Sequence, residues 1–548
     1  MELRAQRTEP RRLILRPALR VALRAGLRLL PLLGVLASCH GPGLRPDRPV
    51  LPPTAEQPAG RRQLVVISDL HFGLGELSPG HFDAYEDFRW ADELAQFLKA
   101  IDATGRGATD LVLNGDSFEL WQSRRPDCQS PDPDVGCSEY EALARFALVA
   151  QAHARELRAL GSFADSGDNR VVLIPGNHDA ALLFPKVAAA AVQVTGARPG
   201  RVQVASGGYW LSSDGRTFAE HGHQSGIDGA NAFGGWPTPF TSGPAGRYLQ
   251  RPWGEQFMRE FFDRYEDRYP ILDNIEPLGE AARYGLASEQ LAGGAEAAQT
   301  FVRLLLRQTS PKQTKSLLGP LLGAPRWDIK AIRARTGWLL GPQVLPPADP
   351  LTLAVARGQG EGWLGRSVPE LTDSQIVHLC DQRALLNGLR ASTGQPAAAS
   401  CPPVASAQDA AQSLQAERDS VLADRVTALR GVLRERGLKA PVQLYVFSHT
   451  HVAEAPFRLP RGAEPALVAN SGAWQRTTSA AFLEAERARR GLALAATLPT
   501  LQPEDLGACY PFVRVDPYPS GAAPVPRLLS FVRAGGAWRI QAAPCPER

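Results

Sequence analysis

The stretch RVVLIPGNHDAALL, residues 170–183, decides the fold. A mostly β-branched apolar run stops at Pro-Gly and is followed at once by Asn177, His178 and Asp179. Asparagine, aspartate and glycine are turn formers, so one explanation is that a strand simply ends here. A second explanation is that the strand delivers polar ligands to a shared point. The rest of the chain distinguishes the two.

The same arrangement recurs along the sequence. Six of the ten histidines lie at the ends of five apolar runs, a concentration that turn formation alone does not explain. Segments with helical spacing, such as residues 85–101 and 140–160, separate the earlier runs, and this alternation predicts an α/β core. The other four runs end in Asp69-Leu70-His71, Gly115-Asp116, His221-Gly222-His223 and His449-Thr450-His451.

These residue types predict a metal centre. Ligands collect at the carboxyl ends of strands, and residues i and i+2 of an extended segment project to the same side. Imidazole, carboxylate and amide donors without cysteine suit Mn, Fe, Zn or Ni, of which we favour Mn. There are more donors than one ion requires, so we expect two divalent ions about 3.5–4 Å apart that share a bridging carboxylate.

The motifs DLH, GDSFELW, GNHD, HGH and SHTH, in this order, resemble the motif series of the calcineurin-like metallophosphoesterases. The resemblance covers about residues 63–235 and 441–475. It implies two packed mixed β-sheets flanked by helices, a four-layer sandwich. It also implies hydrolysis of a phosphomonoester or phosphodiester substrate by metal-activated hydroxide.

Carried over by motif, the resemblance assigns individual roles. His178 is expected to be the catalytic imidazole, oriented by Asp179. Ser448 stands where the last motif usually has glycine, a change that we expect to be tolerated. GDSFELW and NSGAW are also similar to the branch that contains UDP-2,3-diacylglucosamine hydrolase, whose lipid pyrophosphatases carry arginine at the position of His178. The implied ligands are Asp69, His71 and His451 for one ion, Asn177, His221 and His449 for the other, and Asp116 between them.

Residues near the motifs allow more than one interpretation. His223 is either a second-layer or substrate-contacting residue or an ordinary loop histidine. Arg124 either contacts the phosphate of the substrate or lies on a solvated loop. We expect Glu119 and Trp121 to support the loop of Asp116 rather than to meet substrate.

The N-terminus resembles an export signal. Arginine-rich residues lead into a short apolar run that ends in LASC, which resembles a bacterial lipobox and predicts lipidation of Cys39. An uncleaved anchor or a non-lipidated signal is the alternative. Six cysteines remain, and an even number in an oxidising compartment suggests three local disulfides: 128–137, 380–401 and 509–545. Free buried thiols are the alternative.

Charge argues against a nucleic-acid partner. Residues 1–39 hold eight arginines and two glutamates, and the chain without them is almost neutral. With 548 residues and 44% hydrophobic content, the chain can bury a large core or two domains. We expect a signal at 1–39, a flexible tether at 40–62, the catalytic core at 63–240 and 441–548, and a largely helical insertion at 241–440.

The sequence thus predicts an exported, lipid-anchored, dinuclear-metal-dependent phosphohydrolase on the periplasmic or outer-surface side of a bacterial cell envelope. The insertion either caps the site or packs beside the core. Two alternatives remain at this point. One is a lipid pyrophosphate or phospholipid hydrolase at the membrane. The other is a non-catalytic envelope lipoprotein on a phosphoesterase scaffold.

Overall fold

The computed structural model describes residues 62–225, 231–244, 246–266, 268–276, 327–333, 376, 380, 401–402, 407–435, 437–438, 441–459, 465–543 and 545. The predicted signal with Cys39, the predicted tether up to residue 61 and most of the predicted insertion lie outside these residues.

The strands of the described residues form two large sheets and three small ones. In chain order they are β1 (Gln63–Ile67), β2 (Glu76–Ser78), β3 (His81–Phe82), β4 (Thr109–Asn114), β5 (Val135–Ser138), β6 (Arg170–Ile174), β7 (Val202–Val204), β8 (Trp210–Leu211), β9 (Thr217–Ala219), β10 (Phe240–Gly243), β11 (Gly246–Gln250), β12 (Ile275–Glu276), β13 (Leu444–Phe447), β14 (Glu454–Arg458), β15 (Leu467–Asn470), β16 (Thr478–Ser479), β17 (Cys509–Val515), β18 (Pro526–Ala534) and β19 (Ala537–Gln541).

Both large sheets are mixed. The first has the order β19-β18-β17-β1-β4-β6-β7, in which β1, β4, β6 and β7 are parallel and β17 runs antiparallel to β1. The second has the order β14-β15-β13-β9-β8, with β9, β13 and β15 parallel. The parallel strands of each sheet therefore end along one edge, as the alternation of strands and helices predicts.

The two large sheets pack face to face. Side chains alternate along a strand, so Leu64 and Val66 of β1 enter this interface while Val65 and Ile67 face the helices on the other side. Small residues of the second sheet, Ala219 among them, allow a close approach. The buried residues of the interface are Leu64, Val66, Val112, Ile174, Ala219, Leu444, Val446, Ala469, Val513 and Val515.

Helices cover the outer faces. Side chains of α1 and α3, such as Phe97 and Leu160, pack on the first sheet. The helices are α1 (Ala91–Gly105), α2 (Glu139–Ala152), α3 (Ala154–Asp165), α4 (Pro185–Gln193), α5 (Trp253–Phe257), α6 (Asp263–Glu266), α7 (Ile329–Arg333), α8 (Ala407–Glu435), α9 (Ala480–Arg490) and α10 (Leu494–Thr497). Among the described helices, none combines the length and the apolar character needed to cross a bilayer.

Helix α8 shows how the end of the predicted insertion meets the core. Leu422, Val426 and Leu429 of this helix are buried against Tyr445 and Phe447 of β13. The helix therefore forms the outer layer over the second sheet, although it precedes residue 441. The remaining domain boundaries stay predictions.

The predicted fold of two packed mixed sheets flanked by helices is confirmed. The three predicted disulfides, Cys128–Cys137, Cys380–Cys401 and Cys509–Cys545, are present as well. The first joins β5 to the loop after β4. The third ties β17 to the C-terminal residues beyond β19.

A buried histidine joins α2 to α3. The ring of His153 stacks on Phe72 at 4.7 Å, and its Nε2 lies 3.2 Å from Oε2 of the buried Glu86. Burial lowers the pKa of His153, but the charges of Glu86 and Glu156 outweigh it and raise the pKa to about 9.

This ion pair predicts a pH-dependent stability. Because the folded-state pKa lies above the ordinary 6.5, the contribution of His153 is complete below that pH and disappears as pH rises through about 9. We expect His153→Gln to lower the free energy of unfolding by about 3 kcal/mol near pH 6, and by less as the pH rises. Denaturant unfolding at several pH values measures this. The exposed His81, changed to glutamine, is the control, and a penalty constant with pH contradicts the assignment.

Candidate metal and active site

Every predicted ligand follows the carboxyl end of a parallel strand. Asp69 and His71 follow β1, Asp116 follows β4, and Asn177 follows β6, three neighbouring strands of the first sheet. The remaining ligands, His221, His449 and His451, follow β9 and β13 of the second sheet. Because the sheets pack face to face, residues far apart in sequence meet at one edge.

The backbone at these positions is unusual. A non-glycine residue with φ in the left-handed region costs about 1–2 kcal/mol, so it persists where its surroundings determine it. Six such residues occur in the part of the chain that the structure describes, and one of them, Arg106, terminates α1. The other five are predicted ligands: Asp69 (54°), His71 (51°), Asp116 (49°), His449 (69°) and His451 (58°).

One group of donors consists of Asp69, His71 and His451. A donor atom from each lies within 4.8 Å of the others. Both carboxylate oxygens of Asp69 and the Nε2 of His71 are buried and make no hydrogen bond. A buried carboxylate without donors is unfavourable unless a cation completes its surroundings, so these atoms fit a divalent ion.

The second group consists of Asp116, His221 and His449, again with donor atoms within 4.8 Å. The Nε2 of His221 lies 2.9 Å from Oδ2 of Asp116 and 3.0 Å from Oδ1 of Asn177. The same Nε2 lies 4.0 Å from Oδ1 of Asp69, so the two groups adjoin. This separation suits two ions side by side.

The electrostatic field of the buried carboxylates at this site favours the binding of cations. Burial lowers the pKa of His221, but the charges of Asp116 and Asp69 outweigh it and raise the pKa to about 9. Burial likewise opposes ionisation of Asp116, yet His221 and His178 hold its pKa well below the usual range. Ionised carboxylates this close together stabilise any positive charge placed between them.

Three of the imidazoles have a partner on the nitrogen that faces away from the donor groups. The Nδ1 of His71 lies 3.0 Å from Oε2 of Glu119, and the Nδ1 of His221 lies 2.9 Å from the backbone oxygen of Asn114. The Nδ1 of His451 lies 2.5 Å from Oε1 of Glu276. Such partners fix the tautomer and direct Nε2 toward a metal.

His178 is held differently from the prediction. Its Nδ1 lies 2.5 Å from Oε2 of Glu119, and Trp121 stacks on its ring at 4.1 Å. The expectation that Asp179 orients His178 is wrong. The carboxylate of Asp179 instead accepts hydrogen bonds from the backbone N–H groups of Ser117 and Gly176, at 2.7 and 2.6 Å. It is the nearest acidic residue in sequence, but its side chain turns back to join two loops.

Glu119 is therefore the functional residue that sequence reasoning underestimated. Its Oε1 accepts from the backbone N–H of Trp121 and Gln122, as expected for a loop support. Its Oε2 also meets the imidazoles of His71 and His178. Burial opposes its ionisation, yet the two imidazoles hold its pKa well below the usual range. An acid three residues after Asp116 in GDSFELW was the available signal.

The two ambiguous residues belong to neither donor group. His223 is buried edge-on against Trp236 at 4.4 Å, with its ring centroid 5.4 Å from that of His221 and 6.2 Å from that of His449. Burial, together with the nearby imidazoles, lowers its pKa well below the ordinary value. The guanidinium of Arg124 pairs with Asp263 at 2.5 Å.

Ser448 has a definite function in the fold. Its Oγ accepts from Nδ2 of Asn114 at 2.7 Å and lies 2.7 Å from Oγ of Ser471. Nδ2 of Asn114 also donates to the backbone oxygen of Glu220 at 2.9 Å. The serine hydroxyl thus bonds the second sheet to the end of β4.

The two-sheet sandwich carries adjoining carboxylate and imidazole groups at one edge, and these groups could hold metal ions. Residues 63–298 match the family model described as calcineurin-like phosphoesterase. Over these residues the chain is similar to the calcineurin-like phosphoesterases, and this similarity indicates a hydrolase acting on phosphoester bonds. No curated protein matches it. The match ends before β13, so the structure itself brings His449 and His451 to the site.

Gly176 provides a test of the donor geometry. A Cβ at this position would lie 2.2 Å from Oδ1 of Asp116, so Gly176→Ala displaces that carboxylate. We expect a loss of about 10²-fold in phosphoesterase activity and reduced metal content, because misplacing a catalytic group by about 1 Å has this effect. Gly431→Ala is the control, since its Cβ meets nothing within 4 Å. Full activity of Gly176→Ala contradicts the geometry.

Proposed function

We propose that the chain binds two divalent ions, Mn²⁺ being favoured, and hydrolyses a phosphomonoester or phosphodiester. The observation that carries this proposal is the adjacency of the two donor groups, with Nε2 of His221 4.0 Å from Oδ1 of Asp69. The proposed ligands are Asp69, His71 and His451 for one ion, Asn177, His221 and His449 for the other, and Asp116 between them.

Bound divalent ions would supply a lowered pKa for water and positive charge opposite the phosphoryl oxygens. The proposed ligands of this chain would hold such ions rigidly, because these residues follow strands of two packed sheets. Since positioning and charge stabilisation provide most of the acceleration of phosphoryl transfer, rigid ligands are the main contribution of the fold.

His178 is the proposed catalytic side chain. Burial lowers its pKa, but Glu119 and Asp116 outweigh burial and raise it, which favours the protonated imidazole. With Nδ1 held by Glu119, Nε2 is left to donate to the leaving oxygen. Its side chain is 14% exposed, whereas that of His221 is fully buried, which supports an approach of substrate from the side of His178.

The proposal is tested on purified protein stripped of metal and reloaded with Mn²⁺. Chromogenic monoester and diester substrates are assayed, with phospholipid in mixed micelles as a third arm for a substrate at the membrane. Activity is expected only after reloading, and Asp116→Asn is expected to abolish it. His178→Ala should keep both ions and lose about 10²–10⁴-fold on a substrate with a poor leaving group.

His81→Ala is the matched control, because His81 is exposed and belongs to neither donor group. Near-wild-type turnover of His178→Ala on the poor leaving group would refute the role of this imidazole. Metal-free protein that is fully active would refute the proposed function.

We also propose that the chain is exported and anchored by lipid on Cys39. The apolar run before LASC supports this, and so do three disulfides, which persist in oxidising compartments. An anchor would hold the domain near membrane phosphoesters, which is the reason for the mixed-micelle arm.

Cys39→Ser removes the acceptor thiol of the proposed lipid. In a bacterial host, we expect wild-type protein to partition into the detergent phase of a Triton X-114 extract and the variant to partition into the aqueous phase. Changing the nearby Ser38 to alanine is the control. Equal partitioning of wild type and Cys39→Ser contradicts the anchor.

A further inference from the structure

Glu276 contacts a proposed metal ligand from outside the motif series. Its Oε1 lies 2.5 Å from Nδ1 of His451, while Nε2 of the same ring lies 3.2 Å from Oδ1 of Asp69. The imidazole thus lies between two carboxylates. One of them belongs to a donor group, and the other belongs to the first part of the predicted insertion.

His451 is less enclosed by protein than His71 and His221 are, so it depends more on such a partner. It lies four residues beyond the end of β13, in left-handed backbone with φ of 58°. Its side chain is 18% exposed, compared with 6% for His71 and 0% for His221. A ring with less surrounding protein loses more rotational freedom when it binds a metal, unless a contact with a carboxylate already restrains it.

The carboxylate of Glu276 is itself held in place. Strand β12 pairs in parallel with β16, where Ile275 is opposite Thr478 and Glu276 is opposite Ser479. The backbone N–H of Thr478 donates to the oxygen of Asn274 at 2.8 Å. Ile275 is fully buried in an apolar cluster. Backbone pairing and burial therefore fix the position from which Glu276 reaches His451.

We propose that Glu276 is a positioning residue for metal binding, which orients His451 and strengthens it as a ligand. This inference rests on the proposed function. It predicts different effects on the two ions, because Glu276 contacts His451, a member of the group that also contains Asp69 and His71. Loss of its carboxylate weakens the binding of the ion at this group. The affinity for the ion at Asp116, His221 and His449 stays unchanged.

The test measures Mn²⁺ binding directly, by electron paramagnetic resonance of free Mn²⁺ during titration of the stripped full-length protein. For Glu276→Gln we expect one site weakened about 10–100-fold and the other unchanged, because partners of ligating histidines have effects of this size. Glu276→Asp keeps the charge and should restore part of the affinity at this site. Glu276→Ala should bind Mn²⁺ there at least as weakly as Glu276→Gln does.

Glu255→Gln is the matched control. Glu255 is also a buried carboxylate before residue 277, but it pairs with Arg251 at 2.9 Å and touches no proposed ligand. This variant should bind both ions as the wild type does. The inference is overturned if Glu276→Gln binds both ions with wild-type affinity. It is also overturned if both sites are weakened equally and Glu276→Asp recovers no affinity. A wild-type protein that binds no Mn²⁺ overturns the proposed function itself.

Discussion

A buried hydrogen-bond network around Asn114 joins the two sheets at the edge where the donor groups lie. Nδ2 of this residue donates hydrogen bonds to Oγ of Ser448 and to the backbone oxygen of Glu220. Its own backbone oxygen accepts a hydrogen bond from Nδ1 of His221. A serine pair, Ser448 and Ser471, extends the network. Since each sheet carries only part of the donor set, the separation of the proposed ligands depends on this junction. Apolar packing brings the sheets together, and the polar network sets how they meet.

The site collects features that destabilise a protein when they occur alone. Five residues have left-handed backbone, and several carboxylates are buried close together. The surrounding fold compensates with the interface between the sheets and with partners such as Glu119, which two imidazoles hold ionised. A cation between the donor groups would remove much of the remaining repulsion. Strain and charge of this kind are expected where a fold is built to hold a ligand.

The partners of the imidazoles come from different parts of the chain. Glu119 follows the same strand as Asp116, Asn114 ends that strand, and Glu276 arrives from a segment paired with β16. Helix α8 adds Arg425, which pairs with both carboxylate oxygens of Glu220 directly before His221. Segments of the predicted insertion therefore contact the core at two points beside the donor groups. If the insertion selects substrate, these two contacts, Glu276 with His451 and Arg425 with Glu220, connect it to the donor groups.

The sequence alone determined the α/β class, the five strand ends and the disulfide pairs, because these follow from local periodicity, turn chemistry and short spacings. It did not determine which acid meets which imidazole. Asp179 is adjacent to His178 in sequence but bonds to backbone N–H groups, while Glu119, 59 residues away, holds the ring. Glu276 and the packing of α8 could not be predicted either. Such choices depend on how separate strands and loops meet in space, and only the tertiary structure decides that.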